Sequence, residues 1–259
     1  MNDNPARTLA GEIERLAGNG RYRGDEWLRW LTQDVLAGFG KALDKPWDAY
    51  QHERLFKLSG LYARLVAANP WQDILGPTYM ELGSHGQRRW LGQYFTPQPI
   101  AECMAAITMG DLDLDQFQGS RLVRIMEPAA GSGVMLLATC LRVVGEHGAD
   151  ALRRLSFTAI DLDHLCAQMT ACQMLANSAL HGAMGELLVY RGNALGPPSE
   201  LEVVVHTAAP PCFERAEPAP QILPAKAPER ITAIRQVALG RQMSLFDEEA
   251  LPAIERKRA

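Results

Sequence analysis

Leu122-Val-Arg-Ile-Met-Glu-Pro-Ala-Ala-Gly-Ser-Gly133 is the most informative segment of this 259-residue chain. It begins with a short apolar run, which Glu127-Pro128 ends, and two glycines follow. The next stretch, Val134 to Val144, is apolar and ends at Gly145. This order predicts a strand, a tight turn and a buried helix, which together form the repeating unit of a parallel α/β sheet.

Three further strands are predicted downstream of that unit. Leu155 to Ile160 is apolar and ends on Asp161, and helical residues follow to about Leu180. The other two strands are Leu187 to Tyr190 and Leu201 to Val205. Strands that alternate with helices predict an α/β fold with a mostly parallel sheet and helices on both faces. Since no more strands are evident, the sheet is expected to be truncated or to be completed by a partner.

The chain divides into three predicted segments. Residues 1–90 carry apolar residues at three- and four-residue steps, for example Trp27, Leu31 and Val35, and predict a helical N-terminal subdomain. Residues 91–215 form the α/β core. Residues 216–259 are rich in proline, with one candidate helix from Pro228 to Leu239, and end in a polar tail.

The composition limits the class of protein. A net charge of −4 gives no overall positive field, so contact with nucleic acid would need a local patch or a partner. The five cysteines are odd in number and contain no C-x-x-C pair, which favours buried free thiols in a reducing compartment. There is neither an apolar N-terminus nor an apolar run of membrane-spanning length, so we expect a cytoplasmic protein.

The turns after the strands predict the ligand site, because open α/β sheets bind ligands at the carboxyl ends of their strands. Gly131 and Gly133 would allow the backbone to approach a ligand closely. A dinucleotide fingerprint would need a third glycine where Leu136 stands and an acid about twenty residues on, which disfavours a nicotinamide cofactor. Asp161, at the end of the second strand, is suited to accept two ribose hydroxyls. The alternative is that Asp161 only caps the next helix.

Five segments carry a resemblance to a known family. They are Leu91-Gly-Gln-Tyr-Phe-Thr-Pro97, Glu127-Pro-Ala-Ala-Gly-Ser-Gly133, Asp161, Gly192-Asn193 and Ala209-Pro-Pro-Cys212. In this order they resemble the motifs of S-adenosylmethionine-dependent adenine-N6 DNA methyltransferases, above all the modification subunits of type I restriction systems. Asp73-Ile-Leu-Gly76, with Tyr79 and Glu81, resembles the segment before the Phe-Thr-Pro turn of that family. The similarity runs from about residue 70 to 212 and implies a class I methyltransferase (Rossmann-like) fold.

The resemblance also implies which residues bind S-adenosylmethionine. The Phe-Thr-Pro turn would close over the methionine part, the glycine turn would line the amino-acid end, Asp161 would take the ribose hydroxyls, and Asn193 would lie near the adenine ring. The family has an acid where Asn193 stands, and an amide can still accept one hydrogen bond from the adenine amino group. The implied cofactor-binding residues are Tyr94, Phe95, Thr96, Pro97, Glu127, Pro128, Ala129, Gly131, Ser132, Gly133, Asp161, Leu162, Asn193 and Ala194.

The catalytic tetrapeptide implied by the resemblance is degenerate. The family has Asn or Asp, two prolines and an aromatic residue, which together accept the protons of the adenine amine and stack on a base flipped out of the duplex. This chain has Ala209-Pro210-Pro211-Cys212, with Phe213 one position late for stacking. A positioned acceptor contributes about 10²–10⁴ in rate, so transfer should be very slow. Natural loss of catalysis and a deliberate replacement of Asn by Ala both remain open.

The C-terminal tail carries a candidate partner-binding peptide. Gln242-Met243-Ser244-Leu245-Phe246 resembles the peptide by which bacterial proteins bind the replication sliding clamp. We expect no target-recognition domain after Cys212, so the chain would rely on a specificity partner, form a homodimer or have little sequence preference. Three functions remain open: adenine methylation in double-stranded DNA, an inactive module that binds S-adenosylmethionine or DNA for regulation or scaffolding, and methylation of a protein amide.

Overall fold

A computed structural model describes residues 4–43, 45–83, 94–110 and 122–207. Among these residues the chain forms seven α-helices and one four-stranded sheet. The α-helices are α1 (Pro5–Ala17), α2 (Gly24–Gly38), α3 (Ala49–Ala68), α4 (Leu75–Gly83), α5 (Gln98–Met109), α6 (Val134–His147) and α7 (His164–His181). The strands are β1 (Val123–Glu127), β2 (Leu155–Asp161), β3 (Glu186–Arg191) and β4 (Glu202–Thr207). Short 3₁₀ helices span Ala149–Arg154 and Pro198–Glu200.

Side-chain caps fix where several helices begin. The Asn4 side chain accepts hydrogen bonds at the start of α1, with Pro5 in the first helical turn. At the start of α3, Asp48 and Gln51 form a reciprocal capping box. Asp163 caps α7 by accepting from the Leu165 amide at 2.7 Å. The carboxylate that caps α7 is therefore Asp163, and the alternative of Asp161 as the cap of this helix is wrong.

The sheet has the order β1-β2-β3-β4, and its first three strands are parallel. Their carboxyl ends, at Glu127, Asp161 and Arg191, therefore share one edge of the sheet. The predicted α/β fold with a mostly parallel sheet and a helical N-terminal part is confirmed. We call the edge at Glu127, Asp161 and Arg191 the carboxyl edge.

Strand β4 departs from the expected parallel arrangement. It pairs with β3 in the antiparallel direction, so that Thr207 lies opposite Leu187 and Glu202 lies opposite Arg191. The end of β4 therefore lies at the edge opposite to the carboxyl edge, about 13 Å away at the rise of a β-strand. The connection from β3 to β4 is only about ten residues long, which suits a hairpin-like return better than a crossover.

Helix α7 lies at the centre of the hydrophobic core. Every residue from Leu165 to Asn177 is buried, and the helix packs against β2 and β3 and against α2 and α3. One continuous hydrophobic cluster therefore joins the N-terminal helices to the sheet, from Leu9 and Trp27 to Phe157 and Val189. The N-terminal helices stabilise the same core as the sheet.

Several other sequence predictions meet the structure only in part. Cys140, Cys166 and Cys172 are buried free thiols, as predicted, whereas Cys103 is exposed. In the described segments no helix is long and apolar enough to cross a membrane. The three-segment division at residues 90 and 215 stays a prediction. Cys212, the candidate helix from Pro228 to Leu239 and the whole C-terminal segment lie outside the described residues.

Candidate functional site

The glycine turn between β1 and α6 lies at the carboxyl edge of the sheet. The Ala130 amide donates to the carbonyl of Ile160 at 2.9 Å, which ties the turn to the end of β2. Gly131 and Gly133 have φ values of +56° and +94°, in the left-handed region that favours glycine. The predicted turn is therefore present, and its shape depends on these two glycines.

Asp161 lies against this turn. One carboxylate oxygen accepts from the Gly131 amide at 2.7 Å, and the other accepts from the Asp163 amide at 2.8 Å. Burial raises the pKa of the Asp161 carboxyl above its ordinary value, while these two backbone hydrogen bonds oppose the shift. A carboxylate has about four lone-pair positions, so the two protein donors leave capacity for two ligand hydroxyls.

The connection after β3 meets the same point. The Gly192 amide donates to the carbonyl of Asp161 at 2.8 Å, so this connection begins beside Asp161. Asn193 is exposed, and its side-chain oxygen accepts from the Leu195 amide at 3.0 Å. Leu162, the next residue along the chain after Asp161, is apolar and 71% exposed.

The Phe-Thr-Pro segment lies over the glycine turn. A Cβ added to Gly131 would lie 3.0 Å from the ring of Phe95, so the ring covers this glycine directly. Phe95 also packs edge-on against Tyr79 of α4, with ring centroids 5.3 Å apart. Thr96 is half-buried beside Phe95, whereas Tyr94 and Pro97 are exposed. The structure thus brings together two predicted cofactor segments that are far apart in sequence.

The remaining predicted residues of the turn divide into exposed and buried positions. The Glu127 side chain accepts from the Ala129 amide at 3.1 Å, and Pro128 and Ala129 are exposed. Ser132 is fully buried, with its hydroxyl directed at a carboxylate beneath the turn. Ala194, after β3, is half-buried. Ser132 therefore faces the protein interior, although the resemblance implied contact with the cofactor.

Sequence reasoning missed the residues of α7 that hold the turn. The Thr170 hydroxyl donates to the carbonyl of Gly131 at 3.1 Å, and a Cβ at Gly133 would lie 3.2 Å from Thr170. The Gln173 amide group donates to the carbonyl of Ser132 at 2.8 Å. The signal that could have found them is a buried helix with polar residues at its Thr170 and Gln173 positions, because buried polar groups need partners.

The predicted catalytic residues, Ala209, Pro210, Pro211, Cys212 and Phe213, lie outside the described residues. The strand that precedes them is described, and it ends at Thr207 at the edge opposite to the glycine turn. A β4 parallel to β3 would have ended at the carboxyl edge, whereas the observed strand ends on the side away from Asp161. The antiparallel pairing of β4 with β3 is the physical reason. The clamp-like peptide from Gln242 to Phe246 also lies outside the described residues.

The fold and the site together define an α/β protein in which a glycine turn, the Asp161 carboxylate and the connection after β3 meet at the carboxyl edge of the sheet. Residues 72–216, more than half of the chain, match the N-6 DNA methylase family. The chain belongs to that family. In the described part, no group of three or more His, Cys, Asp or Glu side chains could hold a metal ion.

Two solved structures are similar to this chain. One is assigned as a class I S-adenosylmethionine-dependent methyltransferase from Listeria monocytogenes, with 17% identity and a TM-score of 0.46, and the match covers 74% of this chain and 53% of that one. The other is a type I restriction-modification system methyltransferase subunit from Streptococcus thermophilus, with 17% identity, a TM-score of 0.31 and coverage of 66% and 37%. The match thus spans about half the length of the first structure and less than half the length of the second. No curated protein matches it in sequence.

Proposed function

We propose that this chain binds S-adenosylmethionine at the carboxyl edge of its sheet and belongs to the machinery of adenine-N6 methylation in double-stranded DNA. The observation that carries the proposal is the position of Asp161 against the Gly131 amide and next to Gly192. Two loops and one carboxylate meet there, as a nucleoside with two hydroxyls requires. Family membership supports both the cofactor and the adenine substrate.

Each segment of the site has a proposed role in binding. Asp161 accepts the ribose hydroxyls with its remaining lone pairs, and Leu162 packs on the adenine ring. The turn from Glu127 to Gly133 takes the amino-acid end of the cofactor, under the ring of Phe95. The bound cofactor supplies an electrophilic methyl group on sulfur, which an adenine amine can attack.

Methyl transfer by this chain alone is proposed to be very slow. Ala209 has no side-chain acceptor for the adenine amine, so the nitrogen lone pair stays delocalised in the ring. The loss of one positioned acceptor corresponds to about 10²–10⁴ in rate.

The second candidate is a non-catalytic module that binds S-adenosylmethionine or DNA and acts as a regulator or scaffold. The observation that favours it is the antiparallel β4, which ends at Thr207 on the side of the sheet opposite to the carboxyl edge. Such a module could act together with a partner that completes the site. That partner would be a specificity subunit or a second copy of the chain.

The test measures cofactor binding and methyl transfer separately. Titration calorimetry with S-adenosylmethionine should give binding to the natural chain and at least ten-fold weaker binding to Asp161→Ala. Asp150→Ala, which removes an exposed carboxylate from the 3₁₀ helix, is the matched control and should bind as the natural chain does. No binding to the natural chain would refute the cofactor, and undiminished binding to Asp161→Ala would refute the proposed site.

Transfer of a tritiated methyl group to adenine in DNA then separates the two candidates. The adenine methyltransferase candidate predicts slow transfer by the chain with Ala209 and faster transfer by Ala209→Asn. The non-catalytic candidate predicts cofactor binding and no transfer by either protein.

For the sliding clamp, we propose that the peptide from Gln242 to Phe246 binds it as an extended segment, with Leu245 and Phe246 in apolar pockets. Replacement of both apolar residues by Ala should abolish binding to the clamp. Binding that survives the double replacement would contradict this partner.

A further inference from the structure

Asp73 lies beneath the glycine turn and carries a buried carboxylate. One of its oxygens accepts from the Gly76 amide and from the Gln173 side chain, each at 2.8 Å. The other oxygen accepts from the Ser132 hydroxyl at 2.6 Å. Three donors therefore converge on a carboxylate that is only 9% exposed. Such an arrangement is costly to build, because a buried charge must be compensated by hydrogen bonds.

Ser132 is held at two points by this arrangement. Its hydroxyl donates to Asp73, and its carbonyl accepts from the side chain of Gln173 at 2.8 Å. Gln173 in turn bonds to Asp73, so the three residues close a ring of hydrogen bonds. Because Ser132 is the residue between Gly131 and Gly133, the ring fixes the middle of the ligand turn.

Gly76 leaves the space that this ring needs. A Cβ at Gly76 would lie 2.3 Å from the Asp73 carboxylate and 2.7 Å from the Ser132 hydroxyl, so every other residue would displace one of them. The spacing of Asp73 and Gly76 therefore has a physical reason. The Asp73 carboxylate accepts from the Gly76 amide three residues later, and the lack of a side chain at Gly76 leaves room for Ser132.

The other end of the segment is held as well. The backbone of Trp71 has a φ of +57°, which is a strained conformation for a bulky residue. Its amide donates to the side chain of Asn177 at 2.6 Å, and the amides of Ile74 and Leu75 donate to Gln173. Asp73 is thus presented to the turn by a segment that α7 holds on both sides of it.

We infer that Asp73 is a positioning residue for the cofactor turn: through Ser132 it holds Gly131 and Gly133 in the conformation that receives the amino-acid end of S-adenosylmethionine. The inference rests on the proposed cofactor site. Asp73 is buried beneath the turn and its carboxylate accepts from Ser132, Gln173 and Gly76, so the residue is proposed to act through Ser132 and not by direct contact with the ligand.

Two variants of Asp73 separate positioning from loss of folding. Asp73→Ala removes all three hydrogen bonds. In Asp73→Asn the amide oxygen can keep the bonds from Gly76 and Gln173, and the amide nitrogen can donate to the oxygen of Ser132. Asn should therefore preserve the ring, and its affinity for the cofactor should lie within about three-fold of that of the natural chain.

Asp34→Ala is the matched control. Asp34 is likewise a carboxylate with two side-chain donors, Trp47 at 3.0 Å and Ser59 at 2.6 Å, but it joins α2 to the region of α3 away from the turn. Its loss should lower the thermal midpoint without changing the affinity for the cofactor in the folded protein. All measurements are made well below the lowest midpoint of the set.

Two readouts follow the turn itself. Hydrogen exchange in the free protein should show at least ten-fold faster exchange of the amides from Gly131 to Val134 in Asp73→Ala, and no change there in Asp34→Ala. Calorimetry should show about ten-fold weaker binding of S-adenosylmethionine to Asp73→Ala. Methylthioadenosine lacks the amino-acid end, so its binding should weaken by less than about three-fold.

These readouts keep the two proposals apart. Unchanged exchange of the turn in folded Asp73→Ala, or equal losses for both ligands, overturns the positioning role. If the natural chain binds neither ligand, the proposed cofactor fails, and this inference fails with it, even where exchange shows that Asp73 holds the turn. If the turn amides of Asp73→Asn exchange as fast as those of Asp73→Ala, the role of the hydrogen-bonded ring is also overturned.

Discussion

The carboxylate of Asp73 accepts a hydrogen bond from the hydroxyl of Ser132 at 2.6 Å, although 59 positions separate the two residues. The bond joins the segment before α4 to the turn before α6. The glycine turn is therefore held by a residue of the N-terminal helical part as well as by the sheet. Because Asp73 is buried and titratable, it should also make the stability of the protein depend on pH.

Asp73→Asn should alter the pH dependence of stability. Burial raises the pKa of the Asp73 carboxyl, and hydrogen bonds from Ser132, Gln173 and Gly76 oppose the shift. Between the ordinary pKa and the raised one, the folded protein keeps a proton that the unfolded chain has lost, so stability falls as pH rises through this window. The neutral amide avoids this loss. The thermal midpoint of Asp73→Asn should therefore exceed that of the natural chain at pH 7.5, and the difference should shrink as pH falls.

Thermal unfolding at a series of pH values from 4 to 8 measures this difference. For a chain of this size, about 1 kcal/mol corresponds to roughly 2–4 °C in the midpoint. The effect should persist in 0.5 M salt, because buried groups are screened little. A difference between the two proteins that does not vary with pH would contradict the assignment to Asp73.

Gly131→Ala should destabilise the protein and weaken cofactor binding. The residue has a φ of +56°, and a Cβ would lie 3.0 Å from the ring of Phe95. A left-handed conformation costs a residue with a Cβ about 1–2 kcal/mol, and displacement of the ring would open the turn. Chemical denaturation should show this loss in the free energy of unfolding.

Gly145→Ala provides the comparison for that substitution. Gly145 lies inside α6, and among the described residues no atom from outside its own helical turn lies within 4 Å of a Cβ added there. Alanine in a helix interior should raise the free energy of unfolding by about 0.5–1 kcal/mol and leave cofactor binding unchanged. Equal effects of the two substitutions would mean that the turn has no special requirement for glycine.

Asn177→Ala should lower the free energy of unfolding by about 1–3 kcal/mol, because the buried amide of Trp71 loses its acceptor. The Asn177 side chain also donates to the carbonyl of Gln173 one turn earlier in α7. Urea unfolding measures the change. Asn69→Ala removes, at the C-terminal end of α3, a side-chain amide that donates to the carbonyl of Leu65, and it should cost less than about 1 kcal/mol. An Asn177→Ala protein as stable as the natural chain would show that Trp71 does not need this bond.

A pair of cysteines can test the direction of β4. Leu188 and His206 are opposite each other in the antiparallel pairing, and such Cα atoms lie about 4.5–5.5 Å apart, within reach of a disulfide. Leu188→Cys with His206→Cys should therefore cross-link under mild oxidation, as judged by peptide mapping. Leu188→Cys with Val203→Cys should not, since Val203 is opposite Tyr190. The reverse result would mean that β4 is parallel to β3 and ends at the carboxyl edge.

The sequence by itself determined the α/β class, the strands to within one or two residues of their ends, and the glycine turn. These features are local. An apolar run, a Gly-Ser-Gly turn and an apolar helix can each be recognised within a short stretch of sequence. Asp161 could also be predicted, because the end of a parallel strand fixes its place relative to the turn.

Only the tertiary structure decided the direction of β4 and the partners of the turn. Whether a strand is parallel or antiparallel depends on the neighbour with which it pairs, and the short run Val203-Val-Val205 does not distinguish the two arrangements. Likewise, nothing in the local sequence says that Asp73 and Gln173 meet Ser132, since the bonds cross 59 and 41 positions. Hydrogen bonds over such separations exist only once α7 is packed between the helices and the sheet, because burial makes each donor and acceptor depend on a partner from elsewhere in the chain.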